Sequence, residues 1–434
     1  EGVGPLISQE LGKGKPGVAV WAEAAPVAGR PARTPVVVAF LVMLVIVLGL
    51  LRTSPGGEAS FGFTPGGVSR AAPLGPLNVP VNPTLYLFML VTVAAGMGYA
   101  VGRLRSANLV IGLSFFSLVA TFLVWATAGQ SLNLLGMLQA TLVRAVPITL
   151  AALSGVVCER SGVVNIAIEG MMLGAAFTAV VAASVSGSLI VGLLAAILTG
   201  ALLAAIHAGL SIRYRVDQIV SGTVINIFAT GVTSYLSARF LQHIAWLNNS
   251  GTFPNLSIPL LGQIPLLGPL FFEGNLFFYV AIALVVGLHI LLFRTRFGLR
   301  IRAVGEHPRA ADTLGINVWK VRYISVVLGG MIAGIGGAYF TLGSVGRFDE
   351  LMTAGRGFIG LAAMIFGKWT PAGAFAASLL FGFADSLQTK LQILGIPIPS
   401  EFLLMAPYIV TMVVLSGIVG RAIPPAADGQ PYEK

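Results

Sequence analysis

Long apolar runs, separated by short polar and basic stretches, dominate the sequence. They lie at Val36–Leu51, Thr84–Gly102, Asn108–Ala128, Leu142–Val157, Ile166–Ala183, Leu189–Ile212, Ile219–Ala238, Leu276–Phe293, Tyr323–Val345, Phe358–Phe366, Ala372–Ala384 and Phe402–Val419. Crossing the hydrocarbon core takes about 20 helical residues, so most of these runs predict transmembrane helices. The run ending at Phe366 is too short alone; it predicts a half-helix, or one joined to its neighbour through a break at Gly367–Pro371. A transmembrane β-barrel would show short alternating segments instead. The expected fold class is all-α: a polytopic membrane helix bundle of about 10–12 transmembrane helices, including a broken or half helix.

Composition agrees with that pattern. Of 434 residues, 56% are hydrophobic and only 10% charged, against about 25% charged in soluble domains. The formal charge of +10 does not imply nucleic acid, because the cations cluster at the ends of apolar runs, where they set membrane orientation. That rule places Arg103/Arg105, Arg160, Arg213/Arg215 and the segment Arg294–Arg322 on the cytoplasmic side together with both termini, and the loops Arg52–Pro83 and Arg239–Asn275 outside. Arg52, Arg347 and Arg356 are scattered charges that do not fit it. The single cysteine, Cys158, excludes an internal disulfide. Four histidines without zinc-ligand spacing argue against a metal site. No G-x-x-x-x-G-K-S/T phosphate loop and no hydrolytic triad is present, so the chain is not expected to be an enzyme, and no catalytic residue is assigned.

Five regions follow. Residues 1–35, Gly-, Ala- and Pro-rich and without an apolar core plus cleavage site, are expected to form a disordered cytoplasmic tail rather than a cleaved signal peptide. Residues 36–130 form an N-terminal transmembrane extension with a long extracytoplasmic loop, and 131–421 form the core, which holds nearly all the intramembrane polar residues. Within it, 294–322 is a cytoplasmic segment; 422–434 is a C-terminal tail.

Four stretches carry candidate chemistry. In 294–322, with seven Lys or Arg against Glu306 and Asp312, GEHPRAADTLG predicts one short helix, with Pro308 at its first position and Gly315 as a left-handed cap. Ala310 and Ala311 offer a small-residue surface and Leu314 an apolar anchor. Spacing alone leaves open a protein-docking element or an interfacial helix on anionic lipid. In ERSGVVNIAIEGMM, Asn165 and Glu169 are four apart and would share a helix face. A carboxylate in hydrocarbon costs about 3 kcal/mol, so it faces a cavity or ties two helices. Glu159 and Arg160 are expected to form an ion pair. Gly222, Asn226, Thr230 and Ser234 make a stripe at four-residue intervals, in which Asn226 needs partners that lipid does not supply; a solute path or a cross-helix hydrogen bond would both serve. GGMIAGIGGAYF predicts close helix packing. Lys368 would sit at an aqueous edge, and Asp385 and Gln388 are weaker cavity-lining candidates.

ERSGVVNIAIEGMM, DQIVSGTVINIFATG, FGLRIRAVGEHPRAADTLGI and GRGFIGLAAMIFGKWTPAG, in this order from about Leu134 to Arg421, resemble the permeases of bacterial ABC importers for nucleosides and simple sugars. That superfamily also contains ribose and branched-chain amino acid permeases, and the ERSGVVNI form looks most like its nucleoside-uptake branch. The resemblance implies a permease subunit that moves nucleosides across the bacterial cytoplasmic (inner) membrane using ATP hydrolysed by a separate subunit. Simple sugars such as ribose or galactose are the alternative; an ion-coupled secondary transporter is a weaker one. It implies no cofactor in this chain, ATP and Mg belonging to the partner ATPase. The implied partners are that ATPase, a second related permease, an extracytoplasmic substrate-binding lipoprotein and membrane lipid, with no nucleic acid. The matching coupling residues are Arg302, Gly305, Glu306, His307, Pro308, Ala310, Ala311, Leu314 and Gly315. For the solute path the residues offer Asn165, Glu169 and Asn226 as polar groups and Phe228 and Phe358 as stacking surfaces.

Overall fold

Inside hydrocarbon a backbone satisfies its hydrogen bonds within its own helix, and the apolar runs accordingly fold as helices. A computed structural model describes residues 33–65, 74–101, 103, 107–395, 405 and 422–433. The expected tail before Arg33, Arg105, the run Phe402–Val419, Arg421 and Lys434 lie outside the described residues. In chain order the helices are α1 (Arg33–Arg52), α2 (Val81–Ala100), α3 (Ala107–Ala126), α4 (Leu134–Glu159), α5 (Ile168–Ser186), α6 (Leu189–Ala208) and α7 (Gln218–Leu236). They continue with α8 (Leu276–Arg294), α9 (Arg296–Glu306), α10 (Pro308–Thr313), α11 (Val318–Phe340), α12 (Arg356–Phe366) and α13 (Pro371–Ile393). Among the described residues, 7 helices are long and apolar enough to cross a bilayer, and the chain is a multi-pass membrane protein. Asp385 and Lys390 dilute the apolar character of the 23-residue α13, and the 11-residue α12 is a half-helix.

The chain divides into two compact units. Glu1–Thr53 with Leu85–Phe122 form the first, where Phe88 and Phe116 meet edge to face at 6.4 Å and Leu90 and Met97 are exposed, as lipid-facing side chains would be. Ser54–Thr84 with Leu123–Lys434 form the second. The segment expected to be a solvated loop after Arg52 instead contributes β1 (Glu58–Gly62), antiparallel to β2 (Leu77–Pro80) and parallel to β3 (Ser131–Asn133). Alternation explains it: Ala59 and Phe61 turn inward while their neighbours do not.

α4 is the axis of the second unit and is buried without interruption from Ala145 to Glu159. α12 runs parallel to the second half of α4, with Gly360 against Ala151 and Met364 against Gly155. α13 returns antiparallel, its Ser386 hydroxyl donating to the Met137 carbonyl near the Leu134 end of α4 at 2.9 Å. The glycine-rich face of α11 packs as its sequence predicts. A Cβ at Gly200 on α6 would run into the Gly330 carbonyl of α11, so glycine permits a backbone-to-backbone approach there.

Candidate functional site

The expected Asn165/Glu169 helix face does not form, because α5 begins only at Ile168 and Asn165 lies in the irregular segment before it. Other groups claim the backbone of that segment. Gln218 Oε1 accepts from the Val164 N–H at 2.6 Å, and His207 Nε2 contacts the Val164 carbonyl at 2.9 Å. Asn226 braces both sides of the junction, its Nδ2 donating to the Ile166 carbonyl at 2.9 Å and its Oδ1 accepting from the Gly170 N–H at 2.8 Å. Gly222, one turn before it, packs directly on Ile166 and Ala167. Asn165 is fully buried, with Nδ2 at 3.5 Å from Cys158 Sγ. Glu169 accepts from Thr353 Oγ1 at 2.6 Å and from the N–H groups of Gly355 at 2.9 Å and Gly357 at 2.6 Å. Its carboxylate thus caps the N-terminus of α12, where unpaired N–H groups and the helix dipole favour an anion. Phe228 and Phe358 are exposed on α7 and α12, whereas Asn165 is fully buried.

The opposite side of the α12 N-terminus holds a charge network that sequence reasoning largely missed. Arg144 on α4 donates through Nη1 to the Asp385 carboxylate of α13 at 3.0 Å and to the Asp385 carbonyl at 2.9 Å. Arg356, the first residue of α12, approaches the other Asp385 oxygen at 3.5 Å and lies over the Phe340 ring at 5.7 Å. Nearby, Pro147 lacks the N–H that would bond the Val143 carbonyl within α4, and the Tyr339 hydroxyl donates to that carbonyl instead, at 2.9 Å. The overlooked signal was an arginine inside the apolar run Leu142–Val157, the same kind of signal that singled out Glu169. A cavity of about 420 Å³ opens near the Leu134 end of α4, lined in part by Gln139, Asn255, Asn275, Tyr339 and Ser344.

At the Glu159 end the candidate coupling residues span two helices, and the short helix expected to open at Pro308 is α10. Thr295 caps α9, and His307 caps α10 by accepting from the Ala310 N–H through Nδ1 at 3.2 Å. Pro308 opens α10 and Gly315, with φ +80°, follows its C-cap as its sequence position predicts. Glu306, His307, Ala310, Leu314 and Gly315 are exposed. Ala311 instead points inward, packed with Ile301, Val304 and Val318, so it is not part of an outer small-residue surface. Gly305 abuts the Arg160 carbonyl and leaves no room for a Cβ. Arg302 stacks on Phe293 at 5.1 Å.

Glu159 and Arg160 do not pair with each other among the described residues. Both hold the turn between α12 and α13, where Lys368 is exposed and Lys368 and Trp369 adopt positive φ. Trp369 Nε1 donates to Glu159 at 2.6 Å, and Arg160 Nε donates to the Trp369 carbonyl at 2.8 Å. Over this knot lies the C-terminal tail, for which sequence offered no role. The Ala427 N–H donates to the Gly305 carbonyl at 2.9 Å, and Arg322, only 1% exposed, donates to the Gln430 carbonyl at 2.8 Å. Glu433 pairs with Arg215, and Tyr432 meets Trp319 edge to face at 6.5 Å. Burial pushes the Asp428 carboxyl up to about 6, against the opposing pull of its hydrogen bonds with Glu159 and the Gly429 backbone and of the Arg322 charge.

With this geometry in place, similarity to known proteins is informative. The family described as the permease component of branched-chain amino acid transport systems matches residues 137–419. The chain is 45% identical over 304 residues to the guanosine ABC transporter permease protein NupQ of Bacillus subtilis, covering 68% of this chain and 95% of that protein. It is 43% identical over 302 residues to the nucleoside ABC transporter permease protein NupC of Lactococcus lactis, with the same coverage of 68% and 95%. A putative glucose ABC transporter permease protein of Haloferax volcanii, TsgC13, is 34% identical over 266 residues, which cover 60% of this chain and 79% of that one. No solved structure matches.

Proposed function

Because the chain belongs to the branched-chain amino acid transport system permease component family, we propose that it is the nucleoside-translocating permease subunit of a bacterial ABC importer. The observation that carries the substrate class is the 45% identity across 95% of a guanosine permease. The sugar-permease relative is less similar, at 34% identity, and covers less of its own length.

In this reading the subunit lies in the cytoplasmic membrane beside a second, related permease and receives solute from an extracytoplasmic binding lipoprotein. The cation surplus of α9 and its flanks supports a cytoplasmic position for the Glu159 end. The exposed Ala310 and Leu314 of the α10 region meet the ATPase, which holds ATP and Mg. Movement imposed there has a continuous route inward. Gly305 rests on the Arg160 carbonyl, Arg160 and Glu159 grip Trp369, and Trp369 ends the turn that follows α12. The far end of α12 is pinned by Glu169 and carries Arg356, so the half-helix acts as a rod between the docking surface and the bilayer interior. Gly-mediated packing of α11 on α6 keeps the surrounding frame stiff.

Proteoliposomes holding the permease pair, ATPase and binding protein should import radiolabelled guanosine or uridine only when ATP is supplied. Import of glucose without nucleosides, or nucleoside uptake by the permease alone on an ion gradient, would overturn this reading.

A further inference from the structure

We propose that Arg144, Asp385 and Arg356 form the solute-contacting surface of the translocation path, with Asp385 receiving the paired hydroxyls of a ribonucleoside and the two guanidiniums offering donors to its base carbonyls. This rests on the nucleoside-permease reading.

The first support is depth. At about 1.5 Å per residue, Asp385 lies about 21 Å from the Pro371 end of α13 and about 12 Å from its other end, and Arg144 lies about 15 Å into α4. All three charges therefore stand at the level of hydrocarbon, where each costs about 3 kcal/mol or more if it meets lipid. Yet the three side chains remain 24–29% exposed. Charged tips that are neither buried nor allowed to face lipid call for a water-filled passage or a polar occupant on this side of α4, α12 and α13.

The second support is spare hydrogen-bonding capacity. A guanidinium carries five N–H donors. Arg144 spends Nη1 on Asp385, and Arg356 reaches Asp385 only through Nη2 at the long distance of 3.5 Å. Among the described residues no other polar side-chain partner occupies either guanidinium. A hydroxyl entering between Arg356 and Asp385 can thus take the carboxylate oxygen without breaking a strong bond.

Charge balance selects the solute. Glu169 and Asp385 offset Arg144 and Arg356, and Glu169 is already committed to the α12 N-terminus. The three-residue array alone carries +1, and Glu169, bound to the residues flanking Arg356, brings the cluster to zero, which suits a neutral, multiply hydroxylated solute better than a zwitterion or a multiply charged anion. Of the other intramembrane polar candidates, Asn226 is spent on its own segment, and Asn165 is fully buried, its Nδ2 at Cys158 Sγ and its Oδ1 without a hydrogen-bond partner among the described residues.

The test uses the complete importer in proteoliposomes, carrying Asp385→Asn, and reads four quantities: recovery of assembled complex, ATPase activity stimulated by the binding protein, and uptake of uridine and of 2′-deoxyuridine. Assembly and stimulated ATPase should stay near wild type, while uridine uptake falls at least about 10-fold, the loss expected for one charge-assisted hydrogen bond. The ratio of uridine to 2′-deoxyuridine transport should move toward one. Unchanged uptake and ratio, or an uptake loss that only follows lost complex or lost ATPase, would overturn the proposal. Arg356→Gln gives a second readout independent of the Arg144–Asp385 bond: assembly is retained and uptake per ATP drops; uptake per ATP equal to wild type counts against the site. A wild-type importer that moves no nucleoside would remove the nucleoside-permease reading and the ribonucleoside assignment with it, whereas unaffected variants beside an active wild type remove only the role of the three residues.

Discussion

The half-helix α12 joins two charge clusters that are constructed in opposite ways. At its N-terminal end, Arg144, Asp385 and Arg356 are partly exposed, with a 3.0 Å contact, a 3.5 Å contact and donors to spare. At its C-terminal end, Glu159 and Arg160 are spent on the Trp369 turn, Arg322 is buried, and the tail covers them all. Both clusters sit among apolar helices, so charge in a hydrophobic run does not by itself distinguish a solute surface from a structural knot. What distinguishes them is access: Arg322 is 1% exposed and keeps Nε and Nη2 without a hydrogen-bond partner among the described residues, whereas Arg144, Asp385 and Arg356 are 24–29% exposed. Removing one partner of a buried charge leaves the other stranded at a cost of several kcal/mol. A cluster whose unused donors are also accessible is open to an incoming polar group.

That contrast can be broken at several points. The largest effect is expected for Glu169→Ala, which strips the α12 N-terminus of an acceptor for three donors. It should destabilise the unit by roughly 3 kcal/mol or more, read as a fall in the detergent-solution unfolding temperature, and should abolish transport. Trp369→Phe removes the donor to Glu159 while keeping the ring, and should cost about 1–3 kcal/mol in the same assay. If this second variant were as stable as wild type, the Trp369–Glu159 bond would not be what holds the turn between α12 and α13. Leu314→Asp changes an exposed side chain and should leave stability unaltered while lowering ATPase co-purification by about 10-fold. Ala311 is unsuitable for this test, since a charge there would disrupt the packing beneath α10.

The smallest effect is pH-dependent seating of the tail. The Asp428 carboxyl is raised from 3.8 to about 6, so its protonated form is the one favoured by the seated tail. Its contribution is full below about pH 4, fades as pH rises through about 6, and is flat above that. Hydrogen exchange of the tail amides, corrected for intrinsic rates, should show protection declining between about pH 4 and pH 6, a decline absent in Asp428→Asn.

Much of the architecture was legible. Apolar runs, the glycine face of α11, the shortness of α12, and the Pro308 and Gly315 punctuation all express local rules, and the structure follows them. Individual polar residues were less legible. Asn165, Glu169 and Asn226 stood out because polar groups in hydrocarbon need partners, but that requirement does not say whether the partner is a solute or a neighbouring backbone. The structure provides backbone partners for Glu169 and Asn226. Arg144, Arg356 and Asp385 come from three helices far apart in sequence, so no local pattern could join them.

Sequence alone determined the membrane class, the helical content and the basic segment that opens α9, because these depend on composition and on periodicities a few residues long. Tertiary structure decided which charges are buried and which stay accessible, that Ala311 faces inward, and that the tail bonds to the end of α9. These outcomes depend on pairing between distant segments, where each polar group takes whichever partner the folded chain brings within hydrogen-bonding distance.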